Sequence, residues 1–259
     1  MLPLQGIGVL VTRPQQQAMP LCRLLETRGA STFRFPAVDI RPLAGRRALA
    51  ARLGALEDFD LIVYSSSNAV RFGAVLLDQK RELTLAAIGP ATARALNQAG
   101  YRVDVQSTEG FDSESLLRQP QLGHVAGKRI LLVKGGGGRE LLQQELARRG
   151  ADVTVAEVYR RARPNPSAAE LAALEGHFAA GAIQVITATS VEIAANLIAL
   201  ATPALREDFD RVHWLVPGAR VAEGLREHGL KGALLQADSA EDQDLVAAVL
   251  RWRAGESGA

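Results

Sequence analysis

The sequence predicts an α/β protein of two similar parallel-sheet domains, and three observations predict it. The chain repeats itself, each repeat alternates short apolar runs with amphipathic stretches, and the composition supplies ordinary apolar cores. Its 259 residues suit two compact domains or one large one, and apolar residues make up 47%.

The repeat comes first. Gly6-Ile-Gly-Val-Leu-Val-Thr-Arg13 resembles Gly127-Lys-Arg-Ile-Leu-Leu-Val-Lys134, an offset of 121 residues. The same offset maps Leu21 onto Leu142, Leu25 onto Leu146 and Arg28-Gly29-Ala30 onto Arg149-Gly150-Ala151. Val63–Ser67 then faces Val185–Thr189 at an offset of 122. Gly89, Ala93, Leu96, Gly100 and Leu116 face Gly218, Ala222, Leu225, Gly229 and Leu245 at 129. Ordered blocks whose offset drifts in one direction are what duplication followed by loop insertion leaves behind.

Each repeat reads as strand, helix, strand. Val9–Val11 and Ile130–Val133 are short apolar runs suited to buried strands. A helix follows each and stops at Gly29 or Gly150, where glycine suits a left-handed position past the last turn. Thr32–Ile40 and Asp152–Tyr159 read as extended. Next come strands at Leu61–Tyr64 and Leu85–Ile88, with helices from about Asn68 and Ala91. A last strand near Tyr101–Val105 precedes a helix starting near Ser113. Alternation of this length implies parallel sheets covered by helices on both faces. Two proline-bounded basic stretches, Arg41 to Arg47 and Arg160 to Pro166, read as exposed linkers or as two crossings between domains, one outward and one back.

Composition excludes several classes. Charged residues are 22% and the net charge is +2, too weak a balance for a dedicated nucleic-acid binder. The sequence pI near 8.9 slightly favours an anionic ligand. The single cysteine, Cys22, cannot form an internal disulfide, and its helical spacing with Ala18 and Leu25 makes it a core residue. His124, His177, His213 and His228 are scattered, with no pair at metal-ligand spacing. The N-terminus lacks the basic and apolar regions of a signal peptide, and no apolar run is long enough to span a bilayer. A cytoplasmic protein is expected.

Ligands of open parallel sheets sit at the carboxyl ends of the strands, where helix N-termini present free N–H groups. After the first strand of each repeat come Arg13 and Lys134, which places one cation at the same rim of each unit. Lys134 is followed by Gly135-Gly-Gly-Gly138 and Arg139. That run lacks the Gly-Lys-Ser/Thr ending of a phosphate loop and the acidic residue that follows a dinucleotide fingerprint. It reads as an anion-accepting loop or a plain turn. Ser65, Ser66, Ser67 and Asn68, and their counterparts Thr187, Thr189 and Ser190, supply more hydroxyls than helix capping needs. Gly89 and Thr92, with Gly218 and Arg220 in the second repeat, follow the third strand pair. No Ser/His/Asp set, Cys/His pair or close pair of carboxylates lies on these loops. Tyr159 reads either as a half-buried strand residue or as a phenol able to donate a proton.

Val9-Leu-Val-Thr-Arg-Pro14, Val63-Tyr-Ser-Ser-Ser-Asn-Ala-Val70, Ala87-Ile-Gly-Pro-Ala-Thr-Ala93, Gly127–Gly135 and Val158-Tyr-Arg160 together resemble the uroporphyrinogen-III synthase family, from about Gly6 to Val249. The resemblance implies two α/β domains joined by a two-stranded connector, with the active site in the cleft. The domains would be discontinuous: 1–36 with 163–259, and 37–162. The repeat boundary near residue 122 would then not be the domain boundary, whereas the repeat alone suggests two contiguous halves. The implied substrate is hydroxymethylbilane, a linear tetrapyrrole with an acetate and a propionate on each ring. Loss of water from its hydroxymethyl group gives an azafulvene. Attack by the last ring gives a spiro intermediate, and fragmentation and reclosure invert that ring to yield uroporphyrinogen III, on the route to haem, sirohaem and cobalamin. Tyr159 matches the family's tyrosine and would assist departure of the hydroxyl as the catalytic acid. Because the substrate also closes unaided to the wrong isomer, orientation can supply much of the catalysis, which fits the missing catalytic set. The second repeat departs from the pattern at Gly218-Ala219-Arg220-Val221, where an expected hydroxyl is absent and Arg220 could pair with a carboxylate instead. The resemblance also implies a lyase that needs no cofactor or metal and acts as a monomer, with no nucleic-acid or membrane partner.

Two rivals are a two-lobed, non-catalytic binding protein for a polyanionic small molecule and a nucleotide-dependent sugar isomerase or transferase. The first would normally carry a signal peptide. The second needs a phosphate loop or an acidic metal cluster.

Overall fold

The structure, a computed structural model, describes residues 2–43, 56–77, 83–107, 110, 112–137 and 140–255. The chain divides into two compact units, Met1–Asp39 with Ala162–Ala259, and Ile40–Arg161.

Unit 1 begins with β1 (Gly8–Val11), α1 (Gln15–Thr27) and β2 (Ser31–Arg34), and β3 (Asp39–Pro42) starts at its end. Unit 2 continues with β4 (Leu61–Tyr64), α2 (Ser67–Gly73), β5 (Leu85–Ala87), α3 (Pro90–Gln98), β6 (Val105–Gln106), α4 (Ser113–Leu117), α5 (Pro120–Gly123), β7 (Arg129–Gly135), α6 (Leu141–Arg148) and β8 (Asp152–Ala162). The chain then returns to unit 1 with α7 (Ala168–Ala179), β9 (Val185–Thr187), α8 (Val191–Leu200), α9 (Pro203–Arg211), β10 (His213–Pro217), α10 (Gly218–Glu227), β11 (Leu234–Ala237) and α11 (Asp242–Arg253).

The strand orders are β11-β10-β9-β1-β2 in unit 1 and β3-β8-β7-β4-β5-β6 in unit 2. Within unit 1 the five strands pair in parallel, as do β4 to β8 in unit 2. Substituting β7-α6-β8 for β1-α1-β2, and β4, β5 and β6 for β9, β10 and β11, converts one order into the other. Each sheet therefore takes its opening β-α-β from one sequence repeat and its remaining strands from the other.

β1 and β4 are buried at every position because helices cover both faces of their sheets. In unit 2, side chains alternate between two cores. Ile62, Tyr64, Leu131 and Val133 face Ala69, Val70, Ala93 and Leu96, while Leu61, Val63, Ile130 and Leu132 face Leu116, Leu122, Leu142 and Leu146. In unit 1, α1 buries Ala18, Leu21, Cys22 and Leu25 on one face at helical spacing. Each buried Leu removes from water side-chain surface worth about 1.5–3 kcal/mol. Cys22 is part of that core, and burial pushes its thiol up from its ordinary value. Glycines Gly29 and Gly150 adopt φ of +95° and +87° just past α1 and α6.

Two extended readings are corrected. Thr32–Ile40 is broken between β2 and β3, where Pro36 lacks an N–H and the flanking Phe35 and Ala37 donate to Val11 and Thr12. The strand expected over Tyr101–Val105 is confined to Val105–Gln106. Tyr101 instead sends its hydroxyl to the Leu77 carbonyl, and the Asp104 carboxylate accepts from the Leu85 N–H. No helix among the described residues is long and apolar enough to cross a membrane.

Candidate functional site

A parallel sheet gathers its strand ends at one rim, so each unit carries its own set of loops there. In unit 2 the set is Ser65–Asn68 after β4, Gly89–Thr92 after β5, Lys134–Gly137 at the end of β7, and Tyr159 on β8 level with it. Gly138 and Arg139 lie outside the described residues, as do Arg46 and Arg47 of the first basic stretch.

Tyr159 owes its place to a bulge. Along the β7–β8 ladder Lys134 pairs with Glu157, but the register then shifts and Gly135 pairs with Tyr159. Strict alternation would send Val158 and Tyr159 to opposite faces. With the bulge, both join Tyr64 and Val133 on the α2 face. The ring lies against Gly135 so closely that a Cβ there would sit 2.5 Å from Cζ, 2.7 Å from Cε2 and 2.9 Å from Oη. Only a residue without a side chain leaves room for it. The Phe72 ring packs against it with centroids 5.9 Å apart. Tyr159 is 7% exposed, which fits the strand-residue reading for the ring. Its hydroxyl lies 3.1 Å from Ser66 Oγ.

Ser66 has an extended backbone and caps α2 by accepting the Ala69 N–H at 3.0 Å. Ser65 donates its backbone N–H to Val133, and its half-buried hydroxyl has no partner among the described residues. Asn68 and Thr92 are buried with no side-chain hydrogen bond among those residues. Gly89 is the extended residue before α3, with Pro90 as the first helical position. Lys134 is 9% exposed and has no carboxylate partner among the described residues. Tyr64, one turn of the sheet away, is a different case. Burial pushes its phenol far above the ordinary value, and its hydroxyl points to the Gly73 carbonyl at 3.4 Å.

The rim of unit 1 is built differently. Thr187 was expected to present a hydroxyl to a ligand, and the structure corrects this. It is fully buried, its Oγ1 accepts the Thr12 N–H and donates to the Leu10 carbonyl, both at 3.2 Å, and its own carbonyl accepts from Thr12 Oγ1. Two threonines thus fasten β1 to β9. Arg13 is also engaged: its guanidinium donates to the Asp242 carboxylate and to the Ala240 carbonyl at the start of α11. The two rim cations, equivalent in sequence, are therefore unlike in surroundings. Nothing local marks Asp242 as a partner 229 residues away. Ser190 caps α8 by accepting the Ile193 N–H at 3.2 Å, while the half-buried Thr189 hydroxyl has no partner among the described residues. Gly218 opens α10 with φ of +73°, and nothing lies within 4 Å of where its Cβ would be. That left-handed conformation strongly favours glycine. Arg220, two residues on, is exposed and has no carboxylate partner among the described residues.

Among the described residues no three His, Cys, Asp or Glu side chains are placed to hold a metal ion. Among the described residues, each rim offers backbone N–H groups, hydroxyls and a cation without a carboxylate partner, groups suited to carboxylates, and the rim of unit 2 adds the Tyr159 phenol.

The family model described as "Uroporphyrinogen-III synthase HemD" matches residues 20–247. The chain is 33% identical over 254 residues to uroporphyrinogen-III synthase of Escherichia coli, covering 94% of this chain and all of that protein. It is 30% identical over 217 residues to the synthase of Synechococcus elongatus, covering 80% and 79% of the two chains. Two solved structures share the fold. Uroporphyrinogen-III synthetase from Helicobacter pylori has a TM-score of 0.65 at 14% identity, covering 95% of this chain and 99% of the other. A mutant synthase from Thermus thermophilus has 0.59 at 23%, covering 96% and 99%.

Proposed function

The chain belongs to the uroporphyrinogen-III synthase family, and from that premise we propose that it converts hydroxymethylbilane to uroporphyrinogen III as a lyase. It removes water, closes the macrocycle and inverts the last pyrrole ring. What supports the site reading is the unit 2 rim, where Lys134, with no carboxylate partner among the described residues, ends β7 and the Tyr159 phenol lies level with it on β8.

The chemistry needs little from the protein. The pyrrole nitrogen supplies the electrons that expel the hydroxyl of the hydroxymethyl group, and Tyr159 supplies the proton that lets it leave as water. The resulting azafulvene is electrophilic at its methylene carbon. The substituted carbon of the last ring attacks it, and the spiro intermediate fragments and recloses to the inverted product. Uncatalysed closure attacks from the unsubstituted carbon. The protein therefore has to hold the two ends in one geometry, and orientation alone can be worth several orders of magnitude in rate.

Lys134 and Arg220 pair with ring carboxylates, and Ser65, Asn68, Thr92 and Thr189 donate or accept around them. Gly89, Gly135 and Gly218 let backbone N–H groups approach, and Ser190 presents its loop while capping α8. Arg13 keeps its place through Asp242 and offers the substrate its remaining N–H groups. In this reading the two units act as discontinuous domains, 1–36 with 163–259 and 37–162. The enzyme works in the cytoplasm as a monomer, without cofactor or nucleic acid.

The test is turnover of hydroxymethylbilane with separation of the product isomers. Type III product supports the reading. Type I product alone, at the uncatalysed rate, would support the non-catalytic binding protein instead. Tyr159→Phe is expected to lower kcat about 100-fold, within the range for loss of a positioned acid.

A further inference from the structure

The sequence marks Ser66 as one of several hydroxyls for substrate, but its geometry gives it another task. We propose that Ser66 is a positioning residue for Tyr159: its hydroxyl donates to the phenol oxygen and so aims the phenol's own proton out of the protein toward the leaving hydroxyl. This rests on Tyr159 being the proton donor.

Either oxygen could donate in this pair, and what Ser66 Oγ already does favours Ser66 as the donor. Ser66 Oγ accepts the Ala69 N–H at 3.0 Å. Its hydroxyl proton must point elsewhere, and Tyr159 Oη lies 3.1 Å away. An oxygen that accepts one hydrogen bond becomes a stronger donor in the next, so the Ala69 amide reinforces the pair. If the bond ran the other way, the phenol proton would be directed inward and unavailable to substrate.

The rest of the setting leaves the ring little freedom. Gly135 lies against one side, with its hypothetical Cβ 2.5 Å from Cζ, and the Phe72 ring is 5.9 Å away. Packing thus fixes where the ring sits, and only rotation about the C–O bond remains undetermined. That rotation decides where the proton goes. The Tyr159 hydroxyl has no other hydrogen bond to a described residue. Ser66 is the group that can set it.

The experiment is a double-mutant cycle on the purified full chain, with kcat and KM for type III formation and a melting curve for each variant. The variants are Ser66→Ala, Ser66→Asp, Ser66→Thr, Tyr159→Phe and the Ser66→Ala/Tyr159→Phe double. Aspartate caps a helix as well as serine but has no proton to donate at neutral pH, so it separates capping from orientation. Ser66→Ala and Ser66→Asp are expected to lower kcat about tenfold, the scale of one lost neutral hydrogen bond, with KM within about twofold. Ser66→Thr retains most of the activity, Ser66→Asp melts close to the parent, and Ser66→Ala costs nothing further once Tyr159 is Phe. An equal loss from Ser66→Ala with and without the phenol would overturn the proposal, as would a Ser66→Asp variant of full activity. Full activity in Tyr159→Phe would instead remove the underlying assignment of the acid. A low Tyr159→Phe beside a normal Ser66→Ala removes the role of Ser66 alone.

Discussion

Gly135→Ala adds one carbon where the Tyr159 ring leaves no room for it. The new Cβ would meet Tyr159 at 2.5, 2.7 and 2.9 Å from Cζ, Cε2 and Oη. Non-bonded carbons settle at about 3.5–4.0 Å, so the ring has to retreat by about 1 Å. Behind it stand Phe72 and the core of Tyr64, Val133 and Val158. Overpacking that core costs about 1–3 kcal/mol. The 3.1 Å contact with Ser66 Oγ stretches past the distance at which a hydrogen bond holds. A misplacement of about 1 Å at a reacting group can cost about 100-fold. The assay is the initial rate of type III formation over a range of hydroxymethylbilane concentrations, with a thermal melt on the same preparation. Expected are a kcat down about 100-fold, a KM changed only a few-fold, and a melting temperature lower by a few degrees. A variant that melts normally and keeps the parent kcat would refute the placement of the phenol at the reacting centre.

Three further substitutions separate binding from stability. Lys134→Met removes a cation that has no counterion among the described residues, so KM should rise about tenfold, the scale of one charge-assisted contact, while melting stays level or rises; an unchanged KM would take Lys134 out of the site. Asp242→Asn leaves the Arg13 guanidinium, itself largely buried, without its carboxylate, and should destabilise the chain by about 1–3 kcal/mol in chemical denaturation. His213 stacks on Trp252 with ring centroids 4.7 Å apart, and burial holds its imidazole below the ordinary value of 6.5. A group whose proton affinity falls on folding gives its full stability above 6.5 and loses it as pH falls through the lower folded value. His213→Gln should therefore flatten the decline in melting temperature below that pH, and a slope equal to the parent's would exclude His213 as a source of acid sensitivity.

The features legible in the sequence were local ones. Apolar runs of four residues marked β1 and β4 because buried strands need nothing else. Glycines at 29 and 150 marked the ends of α1 and α6 because each adopts a left-handed conformation. Capping accounts for some of the loop hydroxyls, and Ser66 and Ser190 are the ones that cap. What escaped was set by pairing across the chain. The bulge that turns Tyr159 toward α2 depends on how β7 meets β8, and a stretch such as Glu-Val-Tyr carries no sign of it. Thr187 looked like a ligand hydroxyl until Thr12, 175 residues away, took it into the sheet. Arg13 looked equivalent to Lys134 because the two strands are equivalent. The contacts of Arg13 with Ala240 and Asp242 make them different. β6 is shorter than its sequence suggests because Tyr101, Val103 and Val105 are strand-favouring residues, whereas Tyr101 and Asp104 spend their side chains on the neighbouring connections.

The central claim is that the strand-end loops of unit 2 hold a polycarboxylate while Tyr159 serves its hydroxymethyl end. A crystal structure with uroporphyrinogen III bound tests it most directly. It should show carboxylates of the ligand at Lys134 and Thr92, with Tyr159 Oη turned to the macrocycle. A ligand lying away from Lys134 and Tyr159 would contradict it.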